Sequence, residues 1–474
     1  MAYKKPFLDL KLTTEDVILV KPSKPTPSSV ISLSTIDNRP ELNSLCQTIH
    51  IFKPPNNTIL IDDPQNAQND PALVIKEALS KALFYYYPLA GRLVKHADGK
   101  LRIHCNAYGV PFLEAIANCK LSCLHYLDGS DTENAKHLAF DNPFHEDDDD
   151  ENGYQYPLGI KVTKFLCGGF TVGIGASHAV FDGIGGSQFF QAMAELASGK
   201  SEPSVKPVWE RERLNGSVTE HPLLSPMDEA SAAVSPYLTT KTLVHECFKV
   251  DSESIKRLKK SLMKEISYSN NINYSLEGES FTSFEALGAY VWRSRTRALK
   301  LNYDGKTSLA IVVGLRRNYS LIPPLPEGYY GNAFVDPKVV LTVKELNEKP
   351  LSHVVKMIKE TKKLGFSKEY IRNAIDTKET KIEHFDYQGI GASMVLSSWM
   401  HLGMLENMNK GWAKPVNMVP APCNMFGTVG VCIFSPPSDL DPSMNGGVRI
   451  FVSLPNDAMP MFKEEMEALM LVKP

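Results

Sequence analysis

The stretch Gly173–Gly186, GIGASHAVFDGIGG, places a histidine and an aspartate four residues apart, after an apolar run and inside a glycine-rich turn. An imidazole with an unperturbed pKa near 6.5 is suited to taking a proton at neutral pH when such a turn opens into a cleft. The same residues also suit a core histidine followed by a helix-capping aspartate, and spacing alone leaves both readings open. Competing chemistries fit less well. Among twelve His and eight Cys there is no HExxH and no paired Cys/His spacing, so no metal site is expected. A triad through Ser177 is disfavoured because adjacent strand residues point to opposite faces. The glycines of GIGG match neither the dinucleotide nor the P-loop pattern. A histidine base without a protein nucleophile implies direct attack of one substrate on another.

Elements must hold that turn. The Val, Ile, Phe and Thr content of Lys161–Gly175 predicts a strand, interrupted at Gly168-Gly169, that delivers His178 to its end, with a helix over Gly186–Leu196 behind it. Upstream, Asp70-Pro71 reads as an N-cap with proline at the first helical position. Ala72, Ile75, Leu79, Ala82 and Leu83 follow at helical spacing, and Pro88 stops the run. Asp98-Gly99 marks a hairpin. From about Lys200 to Pro236 the composition shifts to Pro, Ser, Glu and Arg, which suggests a crossover between two α/β halves. In the second half the patterns predict strands over Leu243–Val250, Ser308–Gly314 and Val448–Leu454. Helices are predicted over Phe281–Lys300, Ser352–Leu364 and Asp457–Leu471. The domains are accordingly set at 1–200, a crossover at 201–240, and 241–474.

The chain has 474 residues, 43% hydrophobic and 22% charged, which is an ordinary globular composition and enough for more than one core. With 51 Lys+Arg against 54 Asp+Glu the formal charge is −3, so there is no basic footprint for nucleic acid. No apolar run approaches the ~20 residues that span a bilayer, so no membrane partner is expected. The N-terminus is broken by Pro, Asp and Glu and lacks the apolar centre of a signal peptide. Eight scattered Cys without a CxxC pair read as reduced, buried thiols, which points to a cytoplasmic protein with its sequons unglycosylated. The acidic run Glu146–Glu151 reads most simply as a solvated loop.

HAVFDG at 178–183 resembles the HxxxD signature of the plant BAHD acyltransferases, which use coenzyme A thioesters as acyl donors. LVKPSKPTP at 19–27, LSTIDN at 33–38, YYYPLAGRL at 85–93, PPLPEGYYGNAFVD at 323–336 and the closing GGVRIFVSLPNDAMPMFKEEM resemble further blocks of that family, in order along nearly the whole chain. GKSEPSVKPVWERERL at 199–214 and GYYGNAFVDPKVVLTVKEL at 328–346 are similar to its spermidine hydroxycinnamoyl transferases and related amide-forming members. The resemblance implies two chloramphenicol-acetyltransferase-like domains with a channel between them. His178 would then be the general base, with acyl-CoA as co-substrate, no permanently bound cofactor, and a monomer in the cytoplasm. It implies that Asp182 is structural and pairs with Arg316, and that Ser397 and Trp399 support the oxyanion or acyl pocket. The acceptor would be an amine, with an alcohol as the alternative. One block departs from the family. Where the family carries Asp-Phe-Gly-Trp-Gly, this chain has Asn409, Lys410, Gly411, Trp412 and Ala413, which bears on support of the CoA channel and raises the alternative of a non-catalytic CoA-binding paralogue.

Overall fold

A proline start and an apolar stripe make the helix Pro71–Tyr85, whose buried face is Ala72, Ile75, Ala78, Leu79, Ala82 and Leu83, and Asp70 caps it by accepting from the Ala72 amide. The computed structural model describes residues 10–54, 70–129, 133–141, 155–220, 222, 227, 230–237, 242–269, 280–317, 321, 323–380, 391–405, 414–421 and 430–470. The acidic run Glu146–Glu151 and the altered block Asn409–Ala413 lie outside them.

Among the described residues, one sheet has seven strands, ordered Leu12–Thr14, Val110–Ala117, Leu158–Lys164, Phe170–Ser177, Leu45–Phe52 and Asn417–Pro420, with Ile18–Val20 also pairing to Val110–Ala117. Asn417–Pro420 comes from the second half of the chain and pairs antiparallel with Leu45–Phe52. A second sheet is ordered Leu243–Val250, Val448–Pro455, Gly430–Ser435, Ser393–Ser398, Lys306–Ile311 and Lys338–Thr342. Each sheet has its own helices. Pro71–Tyr85 and Gly183–Ala197 share a core with the first sheet, and Ser283–Ala298, Leu351–Leu364 and Met459–Met470 share one with the second. A third apolar cluster joins the two, with Ile49 and Ile51 from one sheet against Ile433 and Phe451 from the other.

Two expectations are corrected. The single interrupted strand over Lys161–Gly175 is an antiparallel hairpin, Leu158–Lys164 with Phe170–Ser177. Its turn closes through Phe165 N donating to the Gly169 carbonyl at 2.9 Å, with Gly168 at φ 78°, where L side chains are strained. The thiols are not uniformly buried either. All seven described cysteines are free, but only Cys105, Cys247 and Cys432 are buried, and Cys123 is exposed.

Candidate functional site

His178 is the first residue beyond the strand Phe170–Ser177, and its amide donates to the Ser44 carbonyl at 3.0 Å in the last bond of that edge. The turn then closes by Val180 N donating to the Ser177 carbonyl at 3.0 Å. Asp182 ends the turn as the N-cap of the helix Gly183–Ala197, accepting from Gly185 N at 3.0 Å. The helix therefore starts three residues before the glycine pattern predicts, because GIGG supplies its first turn rather than a loop.

Arg316 donates to the Asp182 carboxylate at 2.5 Å and to the Tyr329 and Gly331 carbonyls at 3.3 and 2.7 Å, while Ala333 N donates to the same carboxylate at 3.0 Å. Neighbouring Arg317 is exposed, so the pairing expected for Arg316 is the one formed. Burial alone would push the Asp182 carboxyl up. The Arg316 charge and the donors around it outweigh burial and hold the group below the usual carboxylate range.

The imidazole of His178 is half-buried, and its Nδ1 is buried with no partner among the described residues. Asp182 spends its oxygens on Arg316 and backbone amides rather than on the ring. Nε2 is not among the buried atoms without a partner. The ring stands 6.4 Å from that of Phe334 at 69°. Arg39 lies 5.4 Å from the centroid of the Phe334 ring and is itself fixed bidentately on Asp336 at 3.1 and 2.9 Å and on Glu41. Burial would raise the Asp336 carboxyl, but Arg39 and two lysines hold it far below the usual carboxylate range.

Ser397 sits in the strand Ser393–Ser398 opposite Ile433, and Trp399 follows with its amide donating to the Phe434 carbonyl at 2.7 Å. The Trp399 ring packs against the apolar cluster shared by the two halves. The segment after it returns to the histidine turn: a Cβ on Gly183 would meet Leu402 Cδ1 at 2.6 Å, so only glycine allows this approach without a shift. Residues that sequence reasoning missed are Asp37, Arg211, Asn332, Phe334 and Arg39. Each lies in or beside a quoted block, but nothing local marks its partners. Among the described residues, no group of three or more His, Cys, Asp or Glu is placed to hold a metal ion. No described helix is long and apolar enough to cross a membrane.

Two sheet-rich α/β halves with a histidine turn gripped by an Asp–Arg pair are the architecture implied by the acyltransferase resemblance, and residues 10–469 match the Transferase family. The chain belongs to that family, the one that holds the BAHD acyltransferases. It is 41% identical over 473 residues to a spermidine coumaroyl-CoA acyltransferase of Arabidopsis thaliana, covering 98% of this chain and 97% of the relative. A spermidine sinapoyl-CoA acyltransferase of the same plant is also 41% identical, over 98% of both chains. In fold the chain is similar to crystalline vinorine synthase, with a TM-score of 0.70 at 22% identity over 97% of this chain and 98% of that one.

Proposed function

We propose that this protein is an acyl-CoA-dependent N-acyltransferase that transfers a hydroxycinnamoyl-type acyl group to a polyamine, forming an amide. The observation that carries the reading is the 41% identity to two spermidine acyltransferases over 98% of the chain. In the proposed reaction His178 Nε2 accepts a proton as the acceptor nitrogen attacks the thioester carbonyl. The tetrahedral oxyanion is supported by Trp399 and Ser397. It collapses by breaking the C–S bond, and the CoA thiolate takes the proton back from His178. General base catalysis of this kind is worth about 10²–10⁴-fold, and positioning of the two substrates supplies much of the rest.

An aliphatic amine with a lysine-like pKa of ~10.4 is mostly protonated at neutral pH, so the rate with an amine rises toward mildly alkaline pH, a bias an alcohol does not impose. Acyl-CoA is a co-substrate here, and the reading includes no resident cofactor. It takes the protein as a cytoplasmic monomer, with residues 201–240 as the crossover between domains 1–200 and 241–474. The test is a competition. Spermidine, a monoamine and a primary alcohol are offered in equal amounts with one hydroxycinnamoyl-CoA, and the products are quantified by mass across pH. Spermidine amide as the main product, increasing with pH, is expected. Ester as the main product overturns the choice of acceptor.

A further inference from the structure

Three sequence blocks that the proposed bond chemistry does not use meet behind His178: LSTIDN at 33–38, VWERERL at 208–214 and YYGNAFVD at 329–336. They meet at the carboxylate of Asp37, which is fully buried. Arg211, 1% exposed and carried by the crossover, donates one arm to Asp37 at 2.7 Å and the other to the Val180 carbonyl at 2.7 Å. Asn332, from the second half and also fully buried, donates its amide N–H and its side-chain Nδ2 to Asp37 at 2.7 and 2.8 Å. The same Nδ2 donates to the His178 carbonyl at 2.7 Å. The crossover is itself pinned to the Asn332 block, through Val208 N to the Gly328 carbonyl and Tyr330 N to the Val208 carbonyl, both at 2.9 Å.

One carboxylate thus collects an arginine and an asparagine from two parts of the chain, and each hands a second bond to a backbone carbonyl of the histidine turn. Those carbonyls, of residues 178 and 180, lie on either side of Ala179 in the turn. A buried ion pair is weak evidence for stability, because desolvating two charges consumes most of what their attraction returns. Bonds to both carbonyls fix direction, and a displacement of ~1 Å at a reacting group costs about 10²-fold in rate.

We propose that Arg211, Asp37 and Asn332 are positioning residues for His178, a clamp that sets the aim of Nε2 only when the crossover and the second half are both docked on the first. The proposal rests on the reading of His178 as the general base. Asn332→Ala keeps the backbone bond to Asp37 and the Arg211–Asp37 pair, and loses only the side-chain bonds. The double variant Arg211→Met/Asp37→Asn removes both charges together, so no unpaired charge is buried. For these and for Arg211→Lys, four quantities are measured per folded protein, and for His178→Ala the first three. They are kcat and KM for hydroxycinnamoyl-CoA with spermidine, the thermal midpoint, and the rate at which diethylpyrocarbonate modifies His178, read from peptide mass.

Asn332→Ala and the double variant are expected to lower kcat by about 10–10²-fold while KM for the thioester stays within about three-fold. The modification rate of His178 should change at least about three-fold in both, and Arg211→Lys should recover part of the loss through its one remaining arm. A kcat within two-fold of wild type with an unchanged modification rate overturns the clamp. So does a lowered thermal midpoint with full kcat per folded molecule, which would make the clamp structural only. If the variants do not fold, Arg211→Lys alone decides, by the same two readouts. If His178→Ala keeps its activity, the base reading falls, and the modification rate still reports whether the clamp aims the ring.

Discussion

Two histidines on one sheet differ in almost everything that matters for chemistry. His50 lies in the middle of Leu45–Phe52, opposite Val172 on one side and Met418 on the other, with both ring nitrogens buried and without a partner among the described residues. Its ring stands 5.7 Å from Phe190, and burial pushes its pKa down to about 3. His178 stands six residues beyond Val172, where the ladder stops, with one nitrogen buried and the ring half-exposed. The turn that carries it, rather than its ring, receives the polar attention: the His178 and Val180 carbonyls and the Asp182 carboxylate are each bonded by a residue from outside the first half. A core histidine is tolerated by being kept neutral. The turn that carries His178 is instead held by long-range bonds to its backbone and to Asp182.

The contrast breaks first at the rate. His178→Ala should lower kcat/KM by about 10²–10⁴-fold with the fold intact, whereas His50→Leu should leave it within a few-fold. Steady-state turnover with spermidine, alongside circular dichroism, checks both, and a His178→Ala enzyme within a few-fold of wild type would refute the assignment. Next comes Asp182→Asn, which leaves Arg316 beside a neutral amide and should cost about 3 kcal/mol in denaturant unfolding. The Asp182 carboxyl is held below its unfolded value near 3.9, so its stabilisation is complete above that pH and fades as pH falls through the folded value. Wild type and variant should therefore converge in acid. A variant as stable as wild type at pH 7 but with collapsed turnover would give Asp182 a direct chemical role.

Much of this was legible in the sequence where signals are local. The cap and apolar stripe place Pro71–Tyr85 correctly, and Leu243–Val250 has the predicted bounds. The helix Ser252–Ser269 is missing from the sequence expectation, although Ile255, Leu258 and Leu262 recur at helical spacing, because its high charge masks the stripe. The hairpin at 158–177 reads as one strand because both its arms are apolar and the turn is short. The Asp182–Arg316 pair follows from family likeness, since 134 residues separate the partners. Asp37, Arg211 and Asn332 are further apart still, at 174 and 295 residues, and no periodicity connects side chains over such distances. Candidate residue types show in a sequence. The bonds that hold the turn around them are tertiary.

A smaller effect sharpens the link between the histidine turn and the Trp399 segment. Gly183→Ala puts a methyl 2.6 Å from Leu402 Cδ1, the flexible end of a side chain, so Leu402 should swing away rather than the backbone yield. The expected cost is about 1–2 kcal/mol of stability, near the low end for overpacking, with kcat falling by several-fold. The double variant Gly183→Ala/Leu402→Ala should recover most of both. Recovery of stability without recovery of kcat would show that Leu402 itself shapes the acyl site.

The smallest effect tests the other histidine by pH. The folded pKa of His50, about 3, lies below the unfolded value near 6.5, so between these values the unfolded chain binds a proton that the folded chain refuses. Stability must then fall as pH drops below 6.5, by roughly 1.4 kcal/mol for each unit, and level off near the folded pKa. His50→Leu fills a similar volume beside Phe190 and removes this titration. The two proteins should be nearly equally stable at pH 7.5, and by pH 5.5 the variant should be ahead by about 1.4 kcal/mol. Urea unfolding at fixed pH values measures the gap. Parallel stability curves for wild type and His50→Leu would mean that the folded protein accommodates a protonated His50, and the contrast between the two histidines would then rest on backbone anchoring alone.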